Sequence, residues 1–313
     1  MPTATYLSQL GISNIGPLTT VFTAPAACAT SAHPLWLGYT FESSRPGRLG
    51  LLHLQNCDYY PLGECYPYGS ALDESYLSAP DAGRRTDFGT IAYFSPASQC
   101  PDGHTTAGVV AKNDAGQVSS SGAYSTPFAN FEGEPLWLPR NPPVNVFIEA
   151  LDNGETAILC CPENYTALDN GGCFSQVPLS RYGAMSACAG GGGWGPGDYT
   201  WVNATFTFNN SRYTGEVISL TATSVSTQPY STTPIRSLVG ETTVAYEERL
   251  AYTLVHRPAD ATTGGGSGTA VPTETAPSGA QGWRMTTSGG GIGVLSTVWA
   301  FAALVGVMLA VPW

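Results

Sequence analysis

Charge is scarce in this chain. Only 11% of its 313 residues are charged, and 12 basic residues stand against 23 acidic ones, a net charge of −11. Basic surfaces attract phosphate, so this balance sets nucleic acid aside as a partner. No Lys or Arg precedes Arg45, and Pro, Ser, Thr and Gly interrupt every apolar group up to Cys28. A secretory leader needs a basic start and an apolar run of about 7–15 residues. Residues 1–19 therefore read as an N-terminal extension with no clear signal peptide. Close C-x-x-C pairs are also missing, which argues against structural zinc. Neither a nucleophile elbow (G-x-S-x-G) nor an H-E-x-x-H zinc motif occurs. His33, His53, His104 and His256 are scattered singly. No catalytic residue, metal ligand or cofactor is assigned, and the question of an enzyme stays open, leaning to none.

What the chain does have is cysteine, glycine and proline. Gly and Pro number 37 and 24, a composition that favours strands and turns over long amphipathic helices. The eight cysteines, Cys28, Cys57, Cys65, Cys100, Cys160, Cys161, Cys173 and Cys188, are confined to one region. That pattern predicts a disulfide framework in an oxidising compartment. Glu155–Cys161 reads as a strand, whose successive residues face opposite ways. Cys160 and Cys161 are thus expected to take different partners, with Cys173 the first choice for Cys161. Asn164-Tyr-Thr, Asn203-Ala-Thr and Asn209-Asn-Ser are N-glycosylation acceptor patterns. They agree with the cysteines on a body outside the cytosol.

The expected fold is mainly β: a disulfide-stapled extracellular domain, a disordered stalk and one C-terminal hydrophobic helix. Residues 20–197 read as a cysteine-rich β domain, and 198–256 as a cysteine-free β region packed on it. Expected strands include Thr105–Lys112, Val144–Ala150, Glu155–Cys161, Thr200–Phe208 and Glu216–Ser226. Thr243–His256 fits strand or helix equally. A loose repeat, Cys100-Pro-Asp-Gly-His-Thr and Cys161-Pro-Glu-Asn-Tyr-Thr, predicts two tight turns that lead into strands. The glycine tract from Gly190 carries G-x-G-x-x-G-like spacing without the flanking strand and helix of a dinucleotide site, and reads as a loop. Residues 257–291 are a Gly, Ser, Thr and Pro-rich linker, spanning about 30 Å as a free coil.

From Ile292 to Val311 run 20 residues without a charge. At about 1.5 Å per residue this helix matches a bilayer's hydrocarbon core. Nothing basic follows it. Ser278-Gly279-Ala280, a polar spacer and the apolar tail also fit the order of a removable GPI-anchor signal with attachment at Ser278. Transmembrane helix and GPI-signal tail both remain open for 292–311.

Three further stretches bear on family. Ile15-Gly16-Pro17-Leu18-Thr19-Thr20-Val21-Phe22-Thr23-Ala24-Pro25 before Cys28, Tyr93-Phe94-Ser95-Pro96 before Cys100-Pro101, and Cys160-Cys161-Pro162-Glu163-Asn164-Tyr165-Thr166 resemble uncharacterised ascomycete, filamentous-fungal, cysteine-rich surface proteins with a C-terminal membrane segment. The resemblance implies a cysteine-rich ectodomain on a linker and one membrane helix. It implies no activity. The basic cytosolic tail common in that group is missing here, which weakens a surface-sensor role.

The function expected is that of a membrane-anchored, glycosylated cell-surface or wall-associated protein with a structural, adhesion or interaction role. Its site would be the plasma membrane or cell surface with the body outside, its partners the membrane and wall polysaccharide or surface proteins. The alternative is a wall-carbohydrate-binding module or carbohydrate-active enzyme built on the Tyr-rich loop 57–68. There Tyr59, Tyr60, Tyr66 and Tyr68 would offer flat apolar faces with polar tips. Against that stands a loop pinned by Cys57 and Cys65 whose tyrosines are packed core. Glu132 with Glu134, and Asp58 with Glu64, are the carboxylate pairs that glycoside hydrolysis would call on.

Overall fold

The computed structural model describes residues 1–40, 49–58, 60–78, 89–125, 140–167, 171–183, 186–189, 199–208, 211–221, 231–234 and 243–258. The linker from 259, the apolar run at 292–311, Ser278 and the glycine tract lie outside them. Among the described residues no helix is long and apolar enough to cross a membrane.

The fold is mainly β, and the described residues form two large sheets and two strand pairs. The first sheet has seven strands: β1 (Tyr6–Leu7), β2 (Leu10–Gly16), β5 (Thr90–Phe94), β16 (Tyr252–His256), β8 (Glu155–Pro162), β6 (His104–Lys112) and β7 (Val118–Gly122), in that spatial order. β5 runs parallel to both β2 and β16, and the other pairings are antiparallel. The second sheet is antiparallel, in the order β4 (Leu49–Leu54), β3 (Leu35–Thr40), β15 (Thr243–Leu250), β10 (Gly172–Val177) and β9 (Thr166–Ala167). β11 (Ser186–Ala189) pairs with β14 (Ser231–Pro234), and β12 (Tyr199–Phe208) with β13 (Ser211–Leu220).

The first sheet is covered on both faces, which explains why β8 and β16 carry apolar residues on both of theirs. On β8, Ala157, Leu159 and Cys161 face one core, while Ile158 and Cys160 face another. On β16, Val255 belongs to the first core and Tyr252 and Leu254 to the second. Helix α2 (Pro143–Ala150) packs on the first face through Val144 and Phe147. Helix α1 (Gly69–Ser78) and the loop before it cover the second through Leu72, Leu62 and Tyr66. The short helix α3 (Leu179–Tyr182) buries Tyr182 against Leu35, Leu37 and Ala245 of the second sheet.

Two expectations change here. Val144–Ala150 is helix rather than strand. Pro143 sits at the first helical turn, where its fixed φ suits a helix and its missing N–H goes unnoticed. At the other end Lys112, the chain's one lysine, donates from Nζ to the carbonyls of Glu149 (3.3 Å) and Leu151 (2.6 Å). A cation there satisfies orphan acceptors and suits the negative end of the helix dipole. Thr243–His256 resolves into two strands joined at Ala251, so one stretch of chain passes from the second sheet to the first.

Strands on both sides of the expected boundaries at 19/20 and 197/198 share the same sheets. The segment read as an N-terminal extension supplies β1 and β2, with Leu10 and Ile12 buried in the main core. From the cysteine-free region, β15 and β16 are inner strands, β14 pairs with β11, and β12 and β13 pair with each other. The base of the β12–β13 hairpin reaches the main core through Ile218 and Leu220. Gln9 pairs with the Leu220 backbone like a strand edge, its Nε2 donating to the carbonyl (3.2 Å) and its Oε1 accepting from the N–H (2.9 Å).

All eight cysteines are paired, as Cys28–Cys65, Cys57–Cys188, Cys100–Cys160 and Cys161–Cys173. Cys161 takes the partner expected of it, and Cys160, on the other face of β8, takes another. Cys161–Cys173 ties β8 of the first sheet to β10 of the second. Cys57 and Cys65 do not close the 57–68 loop on itself; each anchors one end of it to a distant segment.

Candidate functional site

The loop expected to carry ligand chemistry is held from below. The buried Asp73 carboxylate of α1 accepts the backbone N–H groups of Leu62 (3.0 Å) and Gly63 (2.8 Å). Tyr66 then points inward. Its ring stacks on Tyr252 at 4.6 Å and lies 5.7 Å from Phe94. Its hydroxyl donates to the Ala251 carbonyl (3.4 Å), and burial pushes its pKa well above the usual phenol value. Tyr66 thus packs with Phe94, Tyr252 and Leu72 rather than presenting its ring to solvent. Tyr60 is half-buried and donates its hydroxyl to Asn56 Oδ1 (2.9 Å). Tyr68 is 42% exposed, in a left-handed backbone conformation (φ 59°), and its ring stacks over Phe94. Tyr59 lies outside the described residues. Of the four tyrosines, Tyr68 alone is shown with a broadly exposed ring.

Below this loop lies a small cavity where β5 and β16 part. These parallel strands share a single register pair, Leu254 with Phe94. The space beside it, about 40 Å³, is bordered by Leu62, Tyr66, Ala92, Phe147, Ala251 and Thr253. At about 10–15 Å³ of such volume per water it would take roughly three water molecules. A packing gap of that size cannot receive a sugar ring.

Asp58 and Glu64 are both exposed on the loop surface, and Glu132 and Glu134 lie outside the described residues. The structure instead shows two neighbouring buried carboxyls that sequence reasoning missed, Glu247 and Glu248 on β15, each 3% exposed. Glu248 is surrounded by apolar groups. It accepts the indole N–H of Trp36 (2.7 Å), and burial pushes its pKa up to about 7 despite that bond. Glu247, on the opposite face of the strand, is fully partnered. Its Oε1 accepts the Tyr165 hydroxyl (2.6 Å) and Arg249 Nε (2.9 Å), and its Oε2 accepts Arg181 Nη1 (2.8 Å). Burial alone would raise its pKa, but these donors and the two guanidiniums hold it below the ordinary value. Acid and base roles need carboxylates that flank one bond, and adjacent strand residues cannot do so. The signal for this cluster was present as consecutive acids inside an apolar segment, but which base would meet which acid depends on strand pairing.

Of the histidines, His104 donates from Nδ1 to the Asp102 carbonyl (3.0 Å) and meets the Tyr252 ring edge-on. Burial lowers its pKa. His33 lies near the Glu247 cluster, and burial followed by the Arg249 charge brings its pKa down to about 4. His256 is half-buried at the end of β16, and the His53 side chain is not described. Among the described residues no three His, Cys, Asp or Glu side chains group in a way that could hold a metal ion.

The acceptor asparagines that are described both face solvent. Asn203 is exposed on β12, opposite Glu216. Asn164 is exposed in the turn that joins β8 to β9, with φ 67°. Asn209 lies outside the described residues. The turn at Asn164 and its repeat at Gly103 (φ 72°) have the same construction. His104 N–H bonds the Pro101 carbonyl and Tyr165 N–H the Pro162 carbonyl, each at 3.1 Å. The two turns lie side by side, joined by Glu163 N–H to the Gly103 carbonyl (3.1 Å). No family model, no curated protein and no solved structure matches the chain.

Proposed function

We propose that this chain is the disulfide-stapled ectodomain, stalk and anchor of a cell-surface or wall-associated protein with a structural, adhesion or interaction role. The observation that carries the reading is the pairing of all eight cysteines into four bridges within one chain. Such bridges form and persist in oxidising compartments. Exposure of Asn164 and Asn203 supports glycan attachment from the same side of the membrane. The apolar run at 292–311 then serves as a transmembrane helix or as a GPI signal that attaches lipid at Ser278. A tagged full-length chain expressed in a fungal host tests all of this together. The expected result is labelling of intact cells, a mobility increase on glycosidase treatment and retention on the membrane fraction. Release by a phosphatidylinositol-specific phospholipase assigns the lipid anchor, and resistance assigns the helix. A cytosolic, unglycosylated product with reduced thiols would overturn the proposal.

Exposure of Tyr68 favours a second reading, in which the loop at 57–68 contributes a wall-polysaccharide contact through Tyr68 and Tyr60. Tyr68→Ala would then reduce retention on insoluble wall glucan or chitin at unchanged stability, and equal retention would end it.

A further inference from the structure

Glu247 carries more positive charge than one carboxylate needs. Arg181 on α3 and Arg249 on β15 both bond it, one on each oxygen. The pair leaves one net positive charge in a chain that is −11 overall. The carboxylate itself is buried, whereas the Arg181 side chain is 55% exposed and that of Arg249 is 30% exposed. Arg249 donates through Nε to Glu247 and also bonds the Tyr165 hydroxyl, and Arg181 donates through Nη1. Each therefore keeps guanidinium N–H donors that face away from Glu247. Their positions are fixed, because Glu247 is locked on Tyr165 and on its own strand.

A third group comes from the neighbouring segment: His33 directly precedes Pro34, whose carbonyl accepts the Glu248 N–H (3.0 Å), and Leu35, which pairs with Glu247. His33 feels Arg249, Glu247 and Arg181, so its ring lies within their field. Its Nε2 is buried and has no hydrogen-bond partner. Buried ring nitrogens are nearly always partnered, and an orphan needs an explanation. The cluster thus combines two pre-oriented forks, one uncompensated charge and one polar atom awaiting a partner. Guanidinium forks match the oxygens of carboxylates, sulfates and phosphates in bidentate geometry.

We propose that Arg181, Arg249 and His33 form a binding site for the oxyanion group of a small ligand, a carboxylate, sulfate or phosphate. The arginines neutralise it, and His33, neutral and in its Nε2–H tautomer, donates one further hydrogen bond. Glu247 and Tyr165 are positioning residues that hold the forks open to solvent. The site does not depend on where the protein resides, so it stands or falls separately from the surface assignment.

The test is isothermal titration of the full chain, purified in mild detergent at pH 6 and constant ionic strength, with sodium glucuronate, sodium sulfate and sodium phosphate. Saturable one-to-one binding of at least one anion is expected. Preference for glucuronate assigns a carboxylate ligand, and preference for sulfate or phosphate assigns a tetrahedral one. Arg181→Ala removes a charge-assisted donor and should weaken binding by about tenfold or more. Arg212→Ala, an exposed arginine on the β12–β13 hairpin, should leave it unchanged. Should Arg181→Ala fail to fold by circular dichroism, Arg181→Lys keeps the charge without the fork and should still bind more weakly than wild type. Absence of saturable binding to all three anions, or equal affinity of the Arg181 and Arg212 variants, overturns the proposal.

Discussion

Replacing Glu248 with glutamine should change how stability depends on pH while leaving the fold intact. The glutamine carbonyl can still accept the Trp36 indole N–H, so the contact survives and only the titration is lost. The Glu248 carboxyl is raised from 4.5 to about 7 because ionising it would place a charge among apolar neighbours. Its folded pKa lies above its unfolded one. The stability it contributes is therefore complete below pH 4.5, declines between 4.5 and 7, and is gone above 7. At 1.36 kcal/mol for each pH unit this amounts to about 3 kcal/mol. His33 runs the other way, its neutral form favoured above pH 6.5 and its contribution lost as pH falls toward 4. Glu247, held below its ordinary value, likewise contributes at neutral pH and loses that contribution in acid. Both cancel when variant and wild type are compared at each pH. Urea unfolding followed by tryptophan fluorescence, with disulfides intact, would measure the difference from pH 4 to pH 8. The advantage of Glu248→Gln should grow by about 3 kcal/mol across that range. A constant offset between the two curves would refute the reasoning.

Tyr66→Ala should cost about 3–5 kcal/mol, as large aromatic truncations in a core do, whereas Tyr68→Ala should cost less than about 1 kcal/mol; similar losses in urea unfolding would contradict the division into core and surface rings. Lys112→Met keeps the stem but leaves two carbonyls at the end of α2 unpaired, and a loss of about 1–2 kcal/mol is expected in the same assay. Removing bridges as double alanine variants should follow loop size. Cys57–Cys188 spans 131 residues and Cys161–Cys173 spans 12, so in the chain-entropy model the losses are about 5 and about 3 kcal/mol. The reverse order would show that strain or packing, not loop closure, sets the effect.

Strand periodicity made much of this fold legible. Glu155–Cys161 reads as a strand, and the opposite facing of successive strand residues assigned Cys160 and Cys161 to different faces and partners. The Cys-Pro repeat marked two turns because Gly103 and Asn164 tolerate left-handed backbone. Val144–Ala150 misled because β-branched residues suggest strand, while the decisive cue was Pro143 at a helix start. The first 16 residues hid two strands because Gly, Ser and Asn alternate with Leu10, Ile12 and Ile15 and dilute the apolar signal. Tyr66 and Glu247 illustrate what local pattern does not carry. Whether a tyrosine faces solvent depends on Phe94 and Tyr252, and whether a buried glutamate is balanced depends on Arg181 and Tyr165. Those partners are 28 to 186 residues away along the chain, brought together by sheet topology.

Mass-spectrometric mapping of bridged peptides from unreduced full-length protein, isolated from a eukaryotic surface fraction, tests the central claim most directly. The account predicts Cys28–Cys65, Cys57–Cys188, Cys100–Cys160 and Cys161–Cys173, with no alkylatable thiol. Free thiols in the native protein, or a Cys57–Cys65 bridge closing the tyrosine loop on itself, would contradict both the fold and the oxidising compartment inferred from it.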